Sequence, residues 1–372
     1  MYFKREIEGF MNKNLFGKRA FLIIGARQTG KTTISKKIMK SKSKSIYFNA
    51  DFLQDREIWK PDSVEYLQSI VKNHKIVVID EAQNIKDIGL VIKILTDNFP
   101  DIQIIATGSS SFDLLNKTGE SLAGRKWEIN LFPLSYREIV NATNAFEAKK
   151  NLNFLLSYGM YPEVYLNKKN AENILLELAN SYLLKDILMW ANIKKSDKLI
   201  RLLKLLAYQI GEMVSYNELA NELDIDALTV EKYIDLLEKS FIIFRLNSFS
   251  RNLRTELKKS KKIYFWDIGI RNAIIRDFSF INNRHDKGHI WENFIVAELI
   301  KNSKNSFNNE EFYFWRTKDK AELDLVKIKN RQIKAFEIKF KKKNVRLPDS
   351  FASYKPNSFE LVHFENFEKF IL

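Results

Sequence analysis

One octapeptide constrains this 372-residue chain more than any other feature: Gly25-Ala26-Arg27-Gln28-Thr29-Gly30-Lys31-Thr32. It matches G-x-x-x-x-G-K-[S/T] without a mismatch. It follows an apolar run, Phe21 to Ile24, and opens a stretch of helical periodicity, Thr32 to Met39, which is the context the motif requires. Gly25 and Gly30 let the main chain turn tightly enough to aim its N–H groups at phosphate oxygens. The helix N-terminus adds a favourable dipole. Lys31 is expected to meet the β- and γ-phosphates, Thr32 to hold Mg²⁺ and Thr33 to touch the α-phosphate. The expected ligands are ATP and Mg²⁺, with Gly25, Gln28, Thr29, Gly30, Lys31, Thr32 and Thr33 lining the cradle.

Around this motif, from Arg19 to about Phe132, short apolar runs alternate with amphipathic stretches. Phe21 to Ile24, Ser45 to Asn49, Lys75 to Asp80 and Gln103 to Thr107 read as buried strands; Thr32 to Met39, Asp62 to Asn73 and Gly89 to Asn98 read as helices. Such alternation implies an α/β fold, a parallel sheet with helices on both faces. Ile76-Val77-Val78-Ile79 ends in Asp80 and Glu81. Asp80 is expected to hold the metal, and Glu81 to act as general base on the attacking water. The next strand ends in Thr107-Gly108-Ser109, where Ser109 or Thr107 would orient that water at the sheet's carboxyl edge. Arg125 is a candidate arginine finger.

Lys and Arg number 61 against 46 acids, a formal charge of +15, which favours polyanionic partners through counterion release. The chain has no cysteine, so disulfides and thiolate sites are excluded, and a reducing, cytoplasmic setting is expected. Four histidines make a zinc site improbable. No apolar run is long enough to span a bilayer, and Met1 to Phe10 lacks the apolar core of a signal peptide.

Four regions follow from these patterns: an ATPase domain over 1–140, a helical connector or lid over 141–196, a winged-helix domain over 197–280 and a nuclease-like domain over 281–372. The winged-helix reading rests on a helix from Leu199 to Ile210, Ser215 as N-cap for Tyr216 to Glu222, a second helix from Thr229 to Lys239, and strands at Phe241 to Leu246 and Ile263 to Trp266. The second helix carries Glu231, Asp235 and Glu238, so the basic segment 251–262 is the better candidate surface for DNA. In the tail, Glu292 lies on a helix, Asp324 on a strand, and Glu337 and Lys339 share one face of the next strand. Asp324 and Glu337 are expected to share Mg²⁺, with Lys339 positioning a water. The same acids also fit an inactive, binding-only module.

Taken together, GARQTGKTT (25–33), VVIDEAQ (77–83), ATGSSSFDLL (106–115), GESLAGRKWEINLFPLSYREI (119–139), GMYPEV (159–164), YLLKDI (182–187) and the tail acids resemble the predicted prokaryotic ATPases of the AAA superfamily. That resemblance spans nearly the whole chain. It implies a P-loop core, a helical and winged-helix middle, and a restriction-endonuclease-like tail. It also implies sensor duty for Ser109 or a neighbour and arginine-finger duty for Arg125, with no second-sensor arginine matched. The expected activity is an ATP-driven switch whose C-terminal modules engage nucleic acid or a partner protein. Two other readings stand beside it: a metal-dependent DNA-processing nuclease regulated by ATP, and an ATP-gated interaction regulator without nucleic acid. An arginine finger acting in trans would require a homo-oligomer.

Overall fold

The computed structural model describes residues 2–41, 44–61, 63–108, 122–183, 196–250 and 261–372. Ser109 and the greater part of the basic segment, 251–260, lie outside the described residues. The chain divides into two compact units. One comprises Lys4–Phe132 with Lys239–Phe241. The other comprises Met1–Phe3, Pro133–Glu238 and Ile242–Leu372.

The first unit is built on a five-stranded parallel sheet. Its strands are β1 (Ala20–Ile24), β2 (Ser45–Asn49), β3 (Ile76–Asp80), β4 (Gln103–Gly108) and β5 (Lys126–Asn130), in the spatial order β2-β3-β4-β1-β5. β1, β3 and β4 are buried along their whole length. That is why they read as continuous apolar runs rather than alternating ones. Helices Lys31–Lys40, Val64–Val71 and Ile88–Asn98 connect the strands. β5 was not expected from the sequence. It is an edge strand with only Ile129 buried, and its charged, mixed composition (KWEIN) carries no apolar run.

The second unit starts with short helices between Tyr136 and Glu177. The first is closed by a capping box in which the Ser135 hydroxyl accepts from Glu138 N while Glu138 accepts from Ser135 N. Tyr136 N donates to Glu298 Oε2 at 2.6 Å and the Tyr136 hydroxyl to Glu368 at 2.8 Å, which gives the run LSYREI a packing role inside this unit. Helices Ser196–Tyr208, Tyr216–Leu223 and Ala227–Lys239 follow, and Ser215 caps the second by accepting from Glu218 N.

The sheet of this unit has seven strands: β6 (Met213–Val214), β7 (Ile243–Ser248), β8 (Lys261–Phe265), β9 (Glu311–Arg316), β10 (Glu322–Lys329), β11 (Gln332–Ile338) and β12 (Ser358–Val362). Their order is β12-β11-β10-β9-β7-β8-β6. β7 and β8 form the antiparallel pair expected of a wing, yet β7 also pairs in parallel with β9 through Asn247↔Tyr313 and Ser248↔Phe314. The expected boundary at residue 280 therefore falls within the span of one continuous sheet. Around the expected acids the order is helix Lys287–Asn305, β9, β10, β11, helix Asp349–Ala352 and β12, with β12 parallel to β11.

Candidate nucleotide site and the tail acid cluster

The loop after β1 turns at Gln28 (φ 60°) and Gly30 (φ 98°), then enters the helix Lys31–Lys40. Gly30 stands in the left-handed region that glycine adopts without a Cβ penalty. Gly25 is required for a different reason. A Cβ there would lie 2.1 Å from the Leu131 carbonyl oxygen, because the chain leaving β5 runs directly against the start of the loop. The Lys31 ammonium, 5% exposed, donates to the carbonyls of Gly25 (3.0 Å) and Ala26 (2.8 Å), which holds it at the loop's mouth. Thr29, fully buried, donates its hydroxyl to Ala26 O.

Asp80 ends β3 and gathers three hydroxyls. Its Oδ2 accepts from Thr32 at 2.7 Å and from Tyr47 at 2.6 Å, and its Oδ1 accepts from Thr107. The two strands flanking β3 and the helix after the loop thus converge on the carboxylate that ends β3. The β2–β3 register explains Tyr47: it pairs with Val78, two residues before Asp80 and so on the same face. Burial raises the Tyr47 phenol well above its ordinary value, with the Asp80 hydrogen bond and charge adding to the effect. Glu81 is the next residue, in a left-handed conformation (φ 51°), with its amide donating to Thr107 Oγ1 at 3.1 Å. Gln83 Nε2 donates to Glu81 Oε2 at 2.6 Å. A hydroxyl and a carboxylate 2.7 Å apart, beside a cradle lysine, form the oxygen donor set that suits Mg²⁺ on a nucleotide.

Arg5 is a contributor that sequence reasoning missed. Its guanidinium, 6% exposed, donates to Thr29 O at 2.6 Å and to Phe132 O at 2.7 Å. Glu8, whose Oε1 accepts from Arg5 N, also pairs with Lys37 on the helix that follows the loop. One buried cation so ties the phosphate loop to the end of the first unit. These partners stand 24 and 127 residues away, and nothing in the N-terminal sequence marks them.

Arg125 is placed apart from the cradle. Ala20 N donates to Arg125 O, so Arg125 stands beside the first residue of β1, whereas the phosphate loop follows the last. Five strand residues separate the two ends by about 13 Å. Its guanidinium Nε lies 2.5 Å from Asp97 Oδ1, and that hydrogen bond and charge raise its pKa.

In the second unit the four expected acid-site residues come together, joined by three that were not expected. Glu292 Oε1 accepts from Lys262 Nζ (3.1 Å) and from the Tyr264 hydroxyl (2.7 Å). Lys262 Nζ also pairs with Glu322 Oε1 at 2.6 Å. Asp324 Oδ2 accepts from Ile338 N at 2.7 Å and from Lys339 Nζ at 3.1 Å, and Lys339 Nζ pairs with Glu337 Oε1 at 2.7 Å. A β-bulge re-aims Asp324: the β9–β10 register shifts between Leu323 and Val326. Burial raises the Glu292 carboxyl to about 7; Lys262 pulls it down and Asp324 pushes it up. Burial likewise raises Glu337, with Asp324 adding to it. For Lys262 burial acts downward but is outweighed by Glu292, Glu322 and Asp324, so the ammonium is held charged. Among the described residues no group of three or more His, Cys, Asp or Glu side chains could hold a metal ion. Lys339, expected beside Asp324 and Glu337, pairs with both, and Lys262 pairs with Glu292 and Glu322.

Residues 17–140 match a family model described as an AAA domain, while residues 149–280 and 287–363 match two families each described as a domain of unknown function. The chain is 26% identical over 342 residues to an uncharacterized protein of Mycobacterium tuberculosis, across 90% of this chain and 74% of that protein. It is 27% identical over 395 residues to one of Methanocaldococcus jannaschii, across 94% of this chain and 85% of that protein. Among solved structures, the Walker-type ATPase of Pyrococcus abyssi is similar in fold at a TM-score of 0.50 and 15% identity, covering 74% of this chain and 96% of that one. The first unit therefore has the fold of a P-loop ATPase core. Among the described residues no helix is long and apolar enough to cross a membrane.

Proposed function

We propose that this protein binds Mg²⁺–ATP in the cradle Gly25–Thr33 and hydrolyses it, using the cycle to switch how its second unit engages nucleic acid. The observation that carries the reading is the convergence of Thr32, Tyr47 and Thr107 on Asp80 beside the buried Lys31. Gln28, Thr29, Gly30 and Thr33 complete the cradle. Thr32 and Asp80 hold Mg²⁺, which offsets charge on the phosphates. Glu81 takes a proton from the attacking water, and Gln83 fixes the orientation of that carboxylate. Thr107 positions Asp80 and the Glu81 amide together.

Arg125 stands at the opposite end of β1 from the cradle, which favours delivery to a second copy rather than to its own nucleotide. Mixing Lys31→Ala with Arg125→Ala protein then restores turnover that neither shows alone. A rate per subunit independent of concentration, with Arg125→Ala fully active, refutes the trans arrangement.

Nucleic acid as the partner is supported by the +15 charge and by a cavity of about 460 Å³ in the second unit. That cavity is lined by Asn153, Asn282, Phe340, Lys341, Lys342 and His363, among others. Lysines for phosphate beside an aromatic ring for a base suit a single strand. ATP turnover measured with and without single-stranded DNA, for wild type and Lys31→Ala, tests the whole reading. Binding that falls steeply with salt and turnover abolished by Lys31→Ala are expected. Absence of ATP turnover in the wild type, or DNA binding indifferent to salt, removes the corresponding half.

A further inference from the structure

The helix–strand–strand–strand order carrying Glu292, Asp324, Glu337 and Lys339 is the one expected of a metal-dependent nuclease, yet each of these acids already pairs with a cation from within the same unit. Four carboxylates (Glu292, Glu322, Asp324 and Glu337) meet three cations: Lys262 on the first two, Arg316 on Glu322, and Lys339 on the last two. We infer that Lys262 occupies the place a divalent cation would have to take, so that this nuclease-shaped module is closed to metal and does not cut.

Mg²⁺ requires carboxylate oxygens at about 2.0–2.1 Å in a near-octahedral set, and it dehydrates reluctantly. The Lys262 ammonium stands 3.1 Å from Glu292 and 2.6 Å from Glu322, so a cation bridging those two acids must evict it. Eviction is obstructed by the main chain. Lys262 pairs with Leu246 of β7 on one side and Met213 of β6 on the other, so its backbone is held in the middle of a ladder rather than on a loop. Its side chain is 4% exposed, so displacing it requires repacking the interior around it. Tyr264, two residues along β8 and on the same face, donates to the same Glu292 oxygen and reinforces the closure. At the far end of the cluster Lys339 bridges Asp324 and Glu337, and Ile338 N donates to the same Asp324 oxygen. Lys262 comes from β8, outside the helix–strand run, so the motif itself gives no sign of it.

The inference stands apart from the nucleotide reading, and its test uses full-length protein without nucleotide. Mn²⁺ is titrated calorimetrically into wild type, Asp324→Asn, Lys262→Met and the Lys262→Met/Glu292→Gln double variant, and supercoiled plasmid is incubated with each in Mn²⁺. Wild type and Asp324→Asn are expected to give superimposable isotherms with no stoichiometric site, and the plasmid is expected to stay intact. Lys262→Met is expected to gain one Mn²⁺ site, which the added Glu292→Gln removes. A wild-type site lost in Asp324→Asn, or Asp324-dependent nicking, overturns the inference. So does a folded Lys262→Met protein that gains no site. If Lys262→Met shows no cooperative melting, the wild-type and Asp324→Asn arms still decide the matter.

Discussion

Removing the Arg5 side chain is the sharpest test of how the phosphate loop is held. The guanidinium makes two hydrogen bonds to buried main-chain carbonyls, at 2.6 Å to Thr29 and 2.7 Å to Phe132. Hydrogen bonds to a charged group contribute about 1.5–3 kcal/mol each, and an unpaired buried carbonyl costs more than the loss of the bond. Arg5→Ala should then destabilise the first unit by roughly 3 kcal/mol, allowing for water that enters the vacated space. For a unit of this size that is about 10 °C in Tm. The same change frees the Thr29 carbonyl, whose peptide group carries the Gly30 N–H of the cradle. If about 1.4 kcal/mol of ordering must then be supplied by the ligand, ATP affinity falls about tenfold. Arg5→Lys separates charge from shape: a point charge cannot bridge two carbonyls in a fixed fork, so less than half of either loss should be recovered. Thermal melting and a fluorescent-nucleotide titration measure both quantities. Arg5→Ala protein melting within about 2 °C of wild type, with affinity within about twofold, would refute the reasoning.

Other consequences follow from the same geometry. Glu81→Gln should bind ATP as the wild type does while kcat falls about 10²–10⁴-fold, read from steady-state kinetics beside a binding titration. Gly25→Ala places a methyl 2.1 Å from Leu131 O, so the loop and the chain leaving β5 cannot both keep their positions; nucleotide binding should be lost, and a bound crystal structure with both unmoved contradicts this. Burial lifts the Glu292 carboxyl from 4.5 to about 7. The folded state therefore holds the extra proton, and the associated stability is complete below about pH 4.5 and is lost as pH rises toward 7. Wild-type Tm should fall across that window and Glu292→Gln should flatten the slope; equal slopes in the two proteins count against the assignment.

Asp80 shows how a short motif and a tertiary site differ. Two adjacent acids after an apolar strand are visible in the sequence, but the hydroxyls that gather on the first come from residues 32, 47 and 107. Thr32 was legible because the cradle motif demands a hydroxyl there. Tyr47 was not, since a tyrosine in an apolar strand reads as core until the register of β2 against β3 is known. Arg5 and Lys262 carry the same lesson further, one meeting carbonyls up to 127 residues away and the other an acid 60 residues away across the sheet.

What the sequence determined by itself was everything set by contiguous residues. The octapeptide dictated a cradle between strand and helix, because tight turning, inward amides and a following lysine are local requirements. The apolar runs dictated a buried parallel sheet, because strands covered on both faces must be apolar throughout. Only the tertiary structure decided that the edge strand β5 flanks that sheet, that the antiparallel pair β7–β8 belongs to the tail's seven-stranded sheet, and that Arg125 lies at the far end of β1 from the glycine-rich loop. It also decided that the tail's acids face lysines. Those outcomes depend on register and on which distant strands pair. Main-chain hydrogen bonding is indifferent to side-chain identity at an edge, so local composition leaves such pairings open until the chain has folded.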